Sequence, residues 1–241
     1  MAESTLEQER VIGRNRLMAF WDSLIGKKVV MAVTGVVLIL FLIGHVLGNL
    51  KIFAGPEDIN AYSLFLRRVG APEFGYGELL WVIRIVLLVC VTLHITAAVQ
   101  LTRRSWKARP VGYAMKKDVE AGFGSRTMRW GGLLIAVFVV FHILHFTLGV
   151  VGFRPGQFKH LMVYQNVVAG FSVWPVSVFY IIAMAAVCLH LDHGIWSMLQ
   201  TLGWSTSENA RGLKIFSRIV AILIFAGFVS VPIAVMAGWL R

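Results

Sequence analysis

Acidic side chains are scarce in this sequence: 12 Asp and Glu against 23 Lys and Arg in 241 residues. Charged residues make up only 15% of the chain and hydrophobic ones 58%. A soluble domain of this length cannot hide that much apolar surface in one core. Cysteine is almost absent. Cys90 and Cys188 both lie inside apolar runs and form no Cys-x-x-Cys motif, which excludes a thiolate metal or redox framework. They read as small buried hydrophobes. No internal repeat and no low-complexity segment stands out. The first apolar run follows a charged stretch, Met1–Lys28, and lacks a small-residue cleavage site, so the expectation is a retained span and not a signal peptide.

The long apolar runs are what the sequence has in abundance. Five are long enough to cross a hydrocarbon core, which needs about 20 helical residues: roughly 29–50, 79–101, 130–151, 176–199 and 215–238. The expected fold is all-α, a polytopic bundle of five transmembrane helices over 29–241 behind a cytoplasmic N-terminal arm, 1–28. The net charge of +11 does not call for nucleic acid, because its distribution follows the membrane. Arg10, Arg14, Arg16, Lys27 and Lys28 lie in the arm; Arg103, Arg104, Lys107, Arg109, Lys116, Lys117, Arg126 and Arg129 between the second and third runs; Arg211, Lys214 and Arg218 between the fourth and fifth. The alternate side has only Lys51, Arg67, Arg68, Arg154, Lys159 and Arg241. By the positive-inside rule the N-terminus is cytoplasmic and the C-terminus outside. The loop from Lys51 to Gly77 reads as carrying a short amphipathic helix, and 152–175 as an external loop. Leu17, Met18, Phe20 and Trp21 suit an interface, and Pro232 marks a kink position in the fifth run.

Histidine is the informative residue. His45, His94, His142 with His145, and His190 with His193 fall inside four of the runs. An ionisable group at that depth is expensive and points to function, and imidazole is the common ligand for a metal or haem iron. With a rise of ~1.5 Å per residue, His45 and His142/His145 fall in the outer half of the membrane, His94 and His190/His193 in the inner half. One histidine from each of two helices in each of two layers is the requirement for two stacked bis-histidine haems. Space for a flat macrocycle is suggested by Gly44 and Gly48 beside His45, by Cys90, Ala97 and Ala98 beside His94, and by Ala183, Ala186 and Gly194 beside His190. Small residues are common at any membrane-helix interface, and a single intramembrane histidine can equally bond a neighbouring helix. Zinc fits less well, since it takes closely clustered ligands. Depth leaves both close pairs open and by itself leans towards His145 and His193.

Local segments then identify a family. Phe41-Leu42-Ile43-Gly44-His45-Val46-Leu47-Gly48-Asn49, Leu93-His94-Ile95, Phe141-His142-Ile143-Leu144-His145-Phe146 and His190-Leu191-Asp192-His193-Gly194-Ile195-Trp196-Ser197 resemble the single-chain dihaem cytochrome b anchor of succinate:quinone oxidoreductases and quinol:fumarate reductases. The resemblance covers nearly all of the chain beyond its first twenty-five residues, and the fourth segment is its most specific part. It implies His45 and His142 as ligands of an outer haem b and His94 and His190 of an inner one, with His145 and His193 as neighbours of the ligands. It implies a prokaryotic cell-membrane subunit that receives electrons from an iron–sulfur subunit on the cytoplasmic face. That subunit is fed in turn by an FAD-bearing flavoprotein. Electrons pass to a quinone near the outer surface, with menaquinone the expected partner, in a complex surrounded by lipid and able to form a higher oligomer. The dicarboxylate chemistry lies in the partners. Some fumarate-reducing relatives have a glutamate two residues before the fourth-run ligand; Cys188 stands there, which favours the succinate-oxidising direction.

Other polar residues are candidates of lower rank. Arg84, inside the second run, suits a propionate of the outer haem, a pair with Glu78, or snorkelling. Arg103 and Arg104 suit the inner propionates or serve only as positive-inside charges. His145 stands at a depth for a quinone or propionate hydrogen bond, and Glu73 and Glu78 are outer-side acids. Competing readings are the reverse-running fumarate reductase anchor, the cytochrome b of a hydrogenase or formate dehydrogenase, and a proton-coupled transporter without a chromophore.

Overall fold

A computed structural model describes residues 16–108 and 123–241. Among these the chain is helical, with α1 (Arg16–Asp22), α2 (Leu24–Leu50), α3 (Pro56–Arg68), α4 (Glu78–Lys107), α5 (Phe123–His142), α6 (Val163–Phe171), α7 (Trp174–Thr201) and α8 (Ala210–Met236). A 3-10 turn, Lys51–Ala54, follows α2, and a π-helical turn, Ile143–Thr147, extends α5. Five helices are long and apolar enough to cross a membrane: α2, α4, α5 with its π turn, α7 and α8. The protein is an all-α, multi-pass membrane protein.

Local chemistry sets the ends. Ser23 caps α2, its hydroxyl accepting from the Gly26 amide at 2.8 Å. Pro56 opens α3, with Glu57 and Asp58 in its first turn and Arg67 and Arg68 in its last, the charge order that suits the helix dipole. Pro175 sits in the first turn of α7, where its missing N–H costs nothing. The corner between α1 and α2 is tied by buried Lys27, whose ammonium donates to the Trp21 carbonyl and lies 4.7 Å from the Trp21 ring centre. Arg104 of α4 reaches the same corner, donating to the Asp22 carbonyl at 2.6 Å.

The helices outrun the expected spans at Leu24, Lys107 and Ala210, and two further differences lie near His145. The third span stops at Thr147, short of 151, because the helix loosens into the π turn and Gly149 takes a left-handed φ of +68°. The segment 152–175, expected as a loop, contains α6, with Asn166, Val167, Gly170 and Phe171 buried. Its nine residues are too short to show a helical period in an apolar background. The core runs along α7 and α8, through residues such as Val187, Leu191, Ile195, Ala221 and Ile224. The helix pairs that pack closely are α7–α8, α2–α4, α5–α7, α2–α8 and α2–α7. The pairs α2–α5 and α4–α7 are not among them, and they are the ones that carry the facing histidines.

Candidate functional site

His45 projects from α2 and His142 from the end of α5; their ring centres are 5.8 Å apart and the planes meet at 85°. His94 projects from α4 and His190 from α7, 6.3 Å apart at 55°. Each pair thus faces across two helices that do not otherwise pack closely. All four rings are half-buried. Their surroundings are apolar: Phe41 stacks on His45 at 5.1 Å, and Phe228 of α8 stands 5.6 Å from it.

Hydroxyls hold the Nδ1 side of two of these rings. Thr34 of α2 meets His94 Nδ1 at 3.2 Å, and Tyr180 of α7 meets His142 Nδ1 at 3.2 Å. His190 Nδ1 is buried with no hydrogen-bond partner, a condition that calls for explanation. Bare backbone approaches the His94–His190 pair from the other two helices. A Cβ at Gly35 of α2 would lie 3.7 Å from His94 Cε1, and one at Gly132 of α5 would lie 3.9 Å from His190 Cε1.

His145 is placed differently from the other four. Its side chain is fully buried (0% exposed), between Phe146 at 4.0 Å, Phe153 at 4.6 Å and Phe141 at 5.6 Å. Its Nδ1 meets the same Tyr180 hydroxyl at 3.0 Å, and its Nε2 has no partner. Two glycines close on that nitrogen: a Cβ on Gly170 would stand 2.7 Å from it and one on Gly152 2.9 Å. His193 is half-buried on α7 beside Asp192, which pairs with Arg218 of α8 at 3.5 Å.

The space around the rings only partly follows the expectation. Gly44 and Gly194 do open onto free volume. Gly48 does not, since a Cβ there would lie 2.7 Å from the Tyr62 ring, so this glycine makes room for α3 and not for a macrocycle. Arg84 lies over Trp81, 4.9 Å from the ring centre, and Glu78 accepts from the Gly75 amide at 3.0 Å; no ion pair joins the two among the described residues. Arg103 is exposed and Arg104 half-buried, with one of Arg104's donors spent on Asp22. Glu73 is exposed. Arg10, Arg14, Arg109, Lys116 and Lys117 lie outside the described residues. No group of three or more His, Cys, Asp or Glu among the described residues is placed to hold a metal ion, so zinc gains nothing from the structure.

Thr34, Tyr180, Gly35, Gly132, Gly152 and Gly170 are the contributors that sequence reasoning missed. For Tyr180 a signal existed, a phenol hydroxyl within an otherwise apolar run at the depth of His142. The glycines gave none, because nothing in the sequence says which of 23 faces a ring.

Comparison with known proteins completes the picture. The model of the family "succinate dehydrogenase/fumarate reductase transmembrane subunit" matches residues 110–229. No curated protein and no solved structure matches the chain.

Proposed function

Because the chain belongs to the succinate dehydrogenase/fumarate reductase transmembrane subunits, we propose that it is a dihaem anchor working in the succinate-oxidising direction. In this reading His45 and His142 hold the outer haem b, and His94 and His190 the inner one. The observation that carries the reading is the facing of one histidine on another between helices that do not pack closely together, once for each pair. Protein interiors are normally close-packed, and here α2 and α5, and α4 and α7, which do not pack closely on one another, meet through their imidazoles.

The donor set fits haem. An imidazole nitrogen binds a metal at about 2 Å, so two imidazoles holding one iron between them would have ring centres roughly 6 Å apart, against 5.8 and 6.3 Å here. Ordinary aromatic pairs share that range, so the distance is permissive, and the matching of all four histidines into two facing pairs is the stronger argument. Thr34 and Tyr180 engage Nδ1 of His94 and His142, which leaves Nε2 of each ring for the metal, the usual arrangement of an outer-shell partner. His145 fits poorly as a ligand, since its Nε2 is walled off by Gly152 and Gly170.

A haem held by these residues would supply a one-electron Fe(III)/Fe(II) couple. The protein's part is to hold neutral imidazoles rigidly at two depths, to exclude water with Phe41, Phe141 and Phe228, and to dock partners. The basic inner-side residues, with the N-terminus cytoplasmic and the C-terminus outside, form the docking face for an iron–sulfur subunit carrying electrons from a flavoprotein. The acceptor is a quinone, menaquinone in this reading, near the outer pair, in a prokaryotic cell membrane. Arg84 is retained for an outer propionate, and Arg103 and Arg104 for inner ones. His193 is retained as a neighbour of His190.

A reduced-minus-oxidised spectrum of the purified protein should show sharp haem b bands and about two haems per chain. Their absence would sink the proposal and favour a proton-coupled transporter. His142→Ala should remove the outer haem while His145→Ala retains it; the opposite result would move the ligand to His145.

A further inference from the structure

The Tyr180 hydroxyl has one proton and two imidazole neighbours, His142 Nδ1 at 3.2 Å and His145 Nδ1 at 3.0 Å. A phenol can donate one hydrogen bond and accept others. A neutral imidazole whose Nε2 lone pair is committed to a metal carries its proton on Nδ1. On the ligand assignment proposed above, on which this inference rests, His142 must therefore donate from Nδ1 to the Tyr180 oxygen. The hydroxyl proton is then directed to His145 Nδ1, which accepts, and His145 carries its own proton on Nε2.

We infer that Tyr180 and His145 are positioning residues that orient the outer ligand His142 and raise its electron-donating strength. The order of protons is fixed from one end by the metal and from the other by the enclosure of His145. Hydrogen bonds in such a chain reinforce one another in an apolar interior. By donating to His145, the Tyr180 oxygen becomes a stronger acceptor for His142 Nδ1–H. His142 thereby gains imidazolate character, which favours the ferric iron and lowers the midpoint potential of the outer haem.

The packing of His145 supports this role over that of a space-filler. Its side chain is fully buried and its Nε2 has no partner, with Gly152 and Gly170 at its edge. A leucine-sized hydrophobe would fill the aromatic cage of Phe141, Phe146 and Phe153 without stranding a polar atom. The imidazole therefore earns its place through Nδ1. At the inner pair the corresponding chain ends on backbone and not on a second imidazole: His94 meets the Thr34 hydroxyl, which donates to the Val30 carbonyl at 2.8 Å.

The test is made on the assembled complex, with optical redox titration and low-temperature EPR reading the two haems separately. Tyr180→Phe keeps the ring and removes the hydroxyl. It should raise the outer haem's potential and shift its low-spin g-values while the inner haem stays as in the parent. His145→Leu should shift the outer haem in the same direction by less, and His145→Asn, whose amide oxygen can stand where Nδ1 was, should restore the parent value. The double change Tyr180→Phe/His145→Leu should shift no further than Tyr180→Phe alone, since both act through one hydroxyl. Unchanged outer-haem potential and g-values in Tyr180→Phe would overturn the inference, as would additive shifts in the double variant. If His145→Leu fails to assemble, Tyr180→Phe and His145→Asn still decide. Retention of both haems in His142→Ala is a separate result that overturns the ligand assignment itself.

Discussion

Gly152 and Gly170 lie seven and twenty-five positions after His145, past the end of its helix, yet both are fixed by that one imidazole. Gly170 is helical, so its constraint is purely spatial: an added methyl would meet His145 Nε2 at 2.7 Å and the Phe146 ring at 3.1 Å. Gly152 carries the second constraint of a left-handed φ, +76°. Gly170→Ala should therefore destabilise the protein by about 1–3 kcal/mol, the usual cost of overpacking a filled site. The measure is denaturant unfolding in detergent, against Gly194→Ala as the control, since a Cβ at Gly194 meets nothing within 4 Å. At this scale the sequence was a partial guide. It marked His45, His94, His142 and His190, because a polar atom in an apolar run announces itself. It could not separate His142 from His145 by depth, since what distinguishes them is contact with Gly152, Gly170 and Phe153, all outside the run.

Helices were the most legible level where they are long, and the least where they are short. The apolar runs gave α2, α4, α7 and α8 directly, because a membrane leaves backbone groups no alternative to internal hydrogen bonds. The π turn after α5 was invisible, since its residues are as apolar as the helix they loosen. Such turns gather at functional sites, and this one carries His145. α6 was missed for lack of length, and side-chain amides fix it in place. Asn166 accepts from the Lys159 amide at 2.8 Å and donates to the Lys159 carbonyl at 2.7 Å, closing the turn that precedes the helix. Asn60 of α3 accepts from the Tyr164 amide at 3.1 Å, linking the short helices α3 and α6. Asn166→Ala should strand both Lys159 groups and cost about 1–3 kcal/mol. Faster proteolysis or hydrogen exchange confined to 155–171 would report it, with the spans themselves protected as before; a change spread over the spans would contradict this local assignment.

Taken as a whole, the bundle was readable in number and sense of its spans but not in which of them touch. Charge distribution gave the expected sidedness and hydropathy the count, whereas the separation of α2 from α5 and of α4 from α7 is a property of the assembled helices. The glycines against the inner pair give that arrangement a further meaning. α2 and α5 supply the imidazoles of His45 and His142, and the same two helices supply Gly35 and Gly132 to the His94–His190 pair. α7 supplies His190 within and Tyr180 without. Neither depth is therefore the property of its own pair of helices. On the dihaem assignment proposed above, two chromophores built on a shared frame should report one melting event. Followed at wavelengths that distinguish them, both haem signals should vanish at the same denaturant concentration, as a cooperative transition requires. The membrane arm of this protein would then behave in unfolding as a single thermodynamic unit, with no stable species that has released one cofactor and kept the other.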